Sequence, residues 1–166
     1  SLIIINQKLA HQRILYESFL KSMFDSTEDI QKLAFPHEYK LSKEQAVLFK
    51  KIDTEFKSLG FEYELYDNKL KILSIPNHLK MNSIEDIIDN ILNDEYDFDE
   101  SNSLSNSDFF ARKLSKSSSI KSGKKLNLSE QEFIVNQLFS CKEPNLSPDN
   151  RQIFVTLSKN DIENIF

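Results

Sequence analysis

The apolar residues change their spacing at Asn6-Gln7, and the chain is organised around that change. Leu2-Ile3-Ile4-Ile5 is an unbroken aliphatic run, the pattern of a strand covered on both faces. Ala10, Ile14, Leu15, Phe19, Met23 and Phe24 then recur at helical spacing and form one broad stripe. After a polar connector from Asp25 to Ile30, Gln31 to Pro36 reads as extended, because Pro36 disfavours helix at Phe35. Ser42 and Gln45 make a capping box ahead of a helix whose stripe is Leu48, Phe49, Ile52, Phe56 and Leu59, closed by Gly60. Phe61 to Tyr66 alternates strictly, Asp67-Asn68 turns the chain, and Leu70 to Ile75 returns as a second strand ended by Pro76. Three more helices are predicted. Ser83 caps one that buries Ile84, Ile87, Ile88, Ile91 and Leu92, a second runs from Asp108 to Lys121, and a third has a Ser129/Glu132 box with Phe133, Ile134, Leu138 and Phe139 inward. Asp94 to Ser107 reads as a mobile acidic loop. A strand from Ile153 to Leu157 and a short helix capped by Ser158 and running to Phe166 complete the pattern.

Composition narrows the function classes. A chain of 166 residues with 39% hydrophobic content suits one domain, or two small lobes sharing a core. The single Cys141 excludes an internal disulfide and fits a reducing cytoplasm, the expected location. No apolar run reaches membrane-spanning length and no signal peptide is recognisable, so no membrane partner is expected. The chain opens without Met on an abrupt strand, as expected of a piece of a longer protein. A net charge of −5 argues against strong binding of DNA by the whole domain. The charge is uneven, however: nine acids and no base lie between Met81 and Ala111, followed by Arg112, Lys113, Lys116, Lys121, Lys124 and Lys125 without an acid. Such runs read either as solvated helix faces that attract one another or as a weak phosphate-contacting strip. Glu62 and Glu64 share a strand face, but with no His or Cys nearby they read as solvated rather than as a catalytic pair. His11, His37 and His78 are scattered and read as satisfied polar residues, and no glycine loop able to cradle a phosphate is present.

The turn between the first strand and helix carries the most specific pattern. Asn6-Gln7-Lys8-Leu9-Ala10-His11-Gln12, followed by Arg13-Ile14-Leu15-Tyr16-Glu17, resembles the Asp-Gln-His-Ala-x2-Glu-x4-Glu endonuclease motif in the C-terminal domain of MutL mismatch-repair proteins. Against that motif Asn6 stands where the family has Asp, Lys8 where it has His, Leu9 where it has Ala and Gln12 where it has the first Glu, while Gln7 and Glu17 are kept. Ala111 to Leu114 with Ser119 to Gly123 resembles a second family signature, with Lys116 where active members place a cysteine. Pro144 to Arg151 occupies the position of a Cys-Pro-His-Gly-Arg-Pro segment, with Ser147 for Cys, Asp149 for His, Asn150 for Gly and Gln152 for the last Pro. Amides in place of carboxylates, and an ammonium in place of an imidazole, remove lone pairs and negative charge that a divalent cation requires. The resemblance therefore implies a scaffold without catalytic residues, metal or nuclease activity. A nicking endonuclease with an unusual ligand set built on Glu17 and Asp149 is the alternative.

Gln31-Lys32-Leu33-Ala34-Phe35-Pro36 resembles the peptide by which the same domains touch the sliding clamp. Gln31 would make a polar contact and Leu33 and Phe35 would enter an apolar groove, with Ala34 smaller than the family prefers and Pro36 closing the motif. An ordinary strand with Leu33 and Phe35 in the core is the competing reading. The resemblance implies an α+β domain of two lobes. Residues 1–41 and 126–166 would form a dimerisation lobe with a mixed sheet, and 42–125 an inserted external lobe of helices and a hairpin. It further implies a homodimer, contacts with the mismatch-recognition protein MutS and the clamp, and weak DNA contact through the full-length protein. ATP and magnesium would be bound only by an N-terminal domain absent from this sequence.

Overall fold

A computed structural model describes residues 1–25, 30–77, 79, 84–93 and 103–164. The chain is α+β, with elements in the order β1 (Leu2–Ile5), α1 (Gln7–Asp25), β2 (Ile30–Lys40), α2 (Lys43–Lys51), α3 (Asp53–Ser58), β3 (Glu62–Tyr66), β4 (Lys69–Pro76), α4 (Ile84–Leu92), α5 (Ser103–Ser118), α6 (Leu128–Ser140), β5 (Phe154–Leu157) and α7 (Lys159–Glu163). Two antiparallel sheets are formed among the described residues, not the mixed sheet expected: β1 pairs with β5, and β2, β4 and β3 lie side by side in that order. Parallel neighbours need a crossover. Here the β3–β4 hairpin and the meeting of the chain's two ends bring antiparallel edges together instead.

Local chemistry explains most of the boundaries. Asn6 caps α1 by accepting the Leu9 amide at 3.1 Å, so the helix starts at Gln7 rather than Ala10. Ser42 and Gln45 form the expected reciprocal box on α2. The stripe from Leu48 to Leu59, read as one helix, is two, because Ile52 leaves helical geometry between α2 and α3. Asp67 and Asn68 both have positive φ, the conformation a two-residue hairpin turn needs and one that Asp and Asn tolerate. The box on α6 belongs to Asn127 and Glu130, two residues earlier than predicted. Asn127 accepts the Glu130 amide as well as a serine would, which is why two overlapping boxes compete in the sequence. Ser158 caps α7 with Asp161 as its partner. Residues 103–107, expected in the acidic loop, are the first turn of α5, which ends at Ser118 rather than Lys121. The Ser83 cap, residues 94–102 of that loop, His78 and the last residues of the terminal helix lie outside the described residues.

Two apolar clusters divide the interior. The larger gathers Leu15 and Phe19 of α1 with Phe49, Phe56, Phe61, Ile72, the isoleucines of α4 and Phe110 of α5. The smaller is Leu9, Ala10, Ile134, Leu138 and Ile153, flanked by Ile5, Ile14, Ile120, Leu126 and Phe154. α1 therefore serves both, its first half in one and its second half in the other. Burying side chains of this size is worth on the order of 2 kcal/mol each, so α1 is held along its length from two sides.

Candidate functional site

The three degenerate motifs converge on one corner. Gln12, on α1, donates from Nε2 to Asp149 Oδ2 at 3.2 Å across 137 residues. One turn further along α1, Glu17 accepts the backbone amides of Lys142 and Glu143 at 2.7 and 3.1 Å, tying the exit of α6 to α1. Arg13 lies 3.7 Å from Glu17 and donates from Nε to the Leu146 carbonyl at 2.6 Å. Ser147 is fully buried and its hydroxyl accepts the Arg151 amide, while Asn150 holds a positive φ that Asn tolerates in place of glycine. Arg112 on α5 reaches the Pro148 carbonyl and pairs with Asp108 at 2.7 Å. Tyr16 donates to the same carboxylate at 2.5 Å, and the Arg13 and Arg112 guanidinium carbons lie 5.2 and 5.7 Å from its ring centre.

Most side chains at the motif positions are thus committed to hydrogen bonds within the chain. Asn6 is a helix cap, Gln7 donates to the Lys124 carbonyl at 2.6 Å, Gln12 holds Asp149, and Glu17 holds the chain after α6. Lys8 is half-buried and Lys116 exposed, and neither has an ion-pair partner among the described residues. Among those residues no three of His, Cys, Asp or Glu are grouped closely enough to hold a metal ion. Partial burial pushes the Tyr16 hydroxyl up to about 12, reinforced by Asp108. Burial works to raise the Asp108 carboxyl as well, but Arg112 and Tyr16 outweigh it and hold it below the ordinary range. His11 accepts the Ile120 amide at its Nδ1, and His37 meets Glu85 at 3.0 Å, so both are satisfied polar residues. Glu85 and Asp89 of the acidic run face β2, where they bond His37 and Tyr39. Cys141 ends α6 beside an open groove of about 870 Å³ between α1 and α6, and burial together with Glu17 pushes its thiol up to about 11.

The peptide from Gln31 to Pro36 lies in β2. Its ladder to β4 is broken between Lys32, opposite Ser74, and His37, opposite Ile72. Four residues of β2 thus bulge across a single residue of β4, and Pro36, which has no N–H to donate, sits in the bulge. Leu33 packs partly on the larger cluster, whereas Phe35 is 82% exposed. The expectation that both would point the same way fails, because a bulge removes the two-residue alternation of a flat strand.

An apolar face that the sequence did not single out completes the picture. In β1 and β5, Leu2 lies opposite Leu157, Ile3 opposite Thr156, Ile4 opposite Val155 and Ile5 opposite Phe154. Directly opposed residues share a face. Ile5 and Phe154 pack on the smaller cluster, which leaves Leu2, Ile4, Val155 and Leu157 on the outer side. Leu2 and Ile4 are each 50% exposed and Val155 40%, so β1 is not covered on both faces within this chain. Phe133 of α6, predicted inward, is 56% exposed, and Phe139 is 48% exposed with its ring against Phe154 at 5.4 Å, while Leu128 and Val135 of the same helix are also exposed. The continuous run at Leu2 to Ile5 was the available signal; α6 gave none, since its apolar residues surround much of the helix.

Fold and corner together describe an α+β domain in which Asn6, Gln12, Glu17 and Asp149 bond internally and an apolar sheet face stays partly open. The chain matches the family model of the MutL C-terminal dimerisation domain over residues 1–126. It is 32% identical to the DNA mismatch repair protein MutL of Christiangramia forsetii over 166 residues, covering 99% of this chain and 27% of that protein. It is 33% identical to the DNA mismatch repair protein MutL of Flavobacterium johnsoniae over 99% of this chain and 26% of that one. The chain belongs to the MutL C-terminal dimerisation domain family. It spans about a quarter of the length of these relatives. No helix among the described residues is long and apolar enough to cross a membrane.

Proposed function

We propose that this domain joins two copies of a longer mismatch-repair protein in the cytoplasm, as a homodimer that couples two N-terminal ATPase arms and does no nuclease chemistry of its own. The observation that carries the reading is the outer face of β1 and β5, where Leu2, Ile4 and Val155 remain 40–50% exposed within the chain and Leu157 is half-buried. A second copy covers it, and a stable dimer needs on the order of 1,600 Å² buried in total. The fragment is expected to sediment as a dimer at micromolar concentration; a monomer there overturns the reading. Residues 1–41 and 126–166 would form the dimerisation lobe and 42–125 the external lobe. In support, the buried residues of the smaller cluster all come from the first set, and β2 stitches the lobes by pairing with β4.

The absence of nuclease function is supported by the commitments of Asn6, Gln12, Glu17 and Asp149 to hydrogen bonds within the chain, and by Lys8 and Lys116 at ligand-type positions. Supercoiled plasmid incubated with the domain and manganese is expected to stay supercoiled. Nicking that disappears in Glu17→Ala would instead establish the alternative enzyme.

Clamp contact is the second part of the role, supported by the exposure of Phe35 in the β2 bulge. Extending the Gln31–Pro36 segment into an apolar groove would bury Phe35, while Leu33 stays on its own core. Phe35→Ala is expected to weaken binding to the sliding clamp at least about tenfold, the scale of losing one buried aromatic anchor, with an unchanged melting temperature. Undiminished clamp binding in that variant removes the peptide from the interface. MutS contact and weak DNA contact through the full-length protein complete the proposed partners.

A further inference from the structure

Arg13 on α1 and Arg112 on α5 both donate to carbonyls of the loop at Leu146-Pro148, and Lys8, Lys116 and Arg151 lie on the same two helices and on the loop's exit. Gln12 reaches Asp149 and Arg112 reaches Pro148, so the α1 stripe containing Gln12 and the α5 stripe containing Arg112 both face that loop. Residues four apart on a helix share a face, which places Lys8, one turn before Gln12, and Lys116, one turn after Arg112, on those two stripes. Tyr16 meets Asp108 at one end of the pair, and His11 meets Ile120 towards the other. α1 and α5 therefore run in opposite directions, and Lys8 and Lys116 lie towards the same end. Arg13 stands behind, and Arg151 is exposed on the loop's exit. Among the described residues, the acids bonded at this corner are Glu17, Asp108 and Asp149. Glu17 is spent on Arg13 and two amides, and Asp108 on Arg112 and Tyr16. Among the described residues, that leaves Asp149 alone against Lys8, Lys116 and Arg151.

Two further features extend the positive field. α1 has no acidic residue in its first turn and carries Lys8 there, so the partial positive charge of a 19-residue helix adds to the lysine rather than being neutralised. The Gln7 bond to the Lys124 carbonyl holds the 121–125 turn against the start of α1, bringing exposed Lys121 and Lys125 alongside, while Lys124 is engaged by Glu130 at 3.3 Å. We infer that this corner, where a cation would sit in a metal-dependent relative, grips the phosphodiester backbone of duplex DNA through Lys8, Lys116 and Arg151, assisted by Lys121 and Lys125. The patch stands on the geometry alone; the choice of duplex DNA rests on the repair role proposed above. A line of separate, unpaired, solvent-reaching cations suits the repeating phosphates of a duplex, which are spaced along an axis, better than one small anion enclosed at a point.

The test is fluorescence anisotropy of a labelled duplex titrated with the 166-residue chain over a range of salt concentrations. Lys8→Glu with Lys116→Glu is expected to weaken binding tenfold or more in low salt and to lower the slope of log affinity against log salt by about 2, close to one unit for each lost phosphate contact. Lys116→Glu with Arg151→Glu, both at exposed positions, should do the same and guards against misfolding of the first variant. Lys50→Glu with Lys69→Glu, an equal charge change at exposed sites on α2 and β4, should leave affinity within about twofold. Equal losses in all three variants, or none in the first two, overturn the proposal. So does competition by inorganic phosphate, at matched ionic strength, as effective as competition by unlabelled duplex. Sedimentation of the same samples separates the two readings: a monomer that still binds through Lys116 and Arg151 overturns the dimer and leaves the grip standing.

Discussion

A chain carrying Ile4→Lys and Val155→Glu is expected to sediment as a monomer at concentrations where the native chain is a dimer. Ile4 and Val155 are opposed across the β1–β5 ladder and share its outer face. The two new side chains therefore form an opposite-charge cross-strand pair, which supports the ladder within one chain. In a dimer the same pair must be desolvated against a second apolar face, where the loss of hydration exceeds what the pair returns. The inner face, with Ile5 and Phe154 on the smaller cluster, is untouched, so the fold should survive. The dimer dissociation constant is expected to rise at least about a hundredfold, close to 3 kcal/mol at 1.4 kcal/mol per decade. A variant with unchanged dimer affinity and a native circular dichroism spectrum shows that the copies meet elsewhere.

That expectation also marks what the sequence could convey. The unbroken Leu2 to Ile5 run reads as a strand covered on both sides, whereas within this chain Leu2, Ile3 and Ile4 stay about half exposed, and a single sequence does not say whether another molecule supplies the cover. The capping box at Ser42, the turn at Asp67-Asn68 and the stripe of α4 were legible because each depends on neighbours within a few residues. The start of α5 was not, since Ser103 to Ser107 is polar apart from Leu104 and takes up helix where its neighbour Phe110 is drawn into the larger core. At the degenerate corner the substitutions were readable one by one. Their consequence, a closed set of bonds linking α1, α5 and the 146–152 loop, depends on contacts across more than a hundred residues. Gln12 and Asp149 illustrate this: each reads separately as a lost or altered ligand, and together they are donor and acceptor. The bulge that lifts Phe35 out of β2 was half legible, because Pro36 forbids a ladder bond but does not say which side chains then turn outward.

Phe56→Ala should be the most destabilising single truncation in the larger cluster, and it should leave the dimer intact below its melting transition. The ring is almost wholly buried where α3, α2, the β3 strand and α5 meet. Its centroid lies 5.0 Å from Phe49 and 4.4 Å from Phe61, and at 6.0 and 6.3 Å from Tyr63 and Phe110. Removing it discards the transfer energy of the ring and leaves a cavity lined by stiff aromatic neighbours that cannot close over it. Both effects place the cost at the upper part of the usual range for such changes, about 4 kcal/mol. For a chain of this length that corresponds to a fall of roughly 10 °C in melting temperature. None of these rings belongs to the β1–β5 face, so sedimentation of folded Phe56→Ala at low temperature should give the native dimer affinity. Phe56→Leu keeps much of the volume and is expected to recover part of the loss. A cost below about 1 kcal/mol for the alanine variant in urea titration would show that the four remaining rings repack, and that the larger cluster is held by α4 and the sheet instead. Loss of dimerisation in the folded variant would show that α1, through Leu15 and Phe19, carries strain from the larger cluster to the outer sheet face.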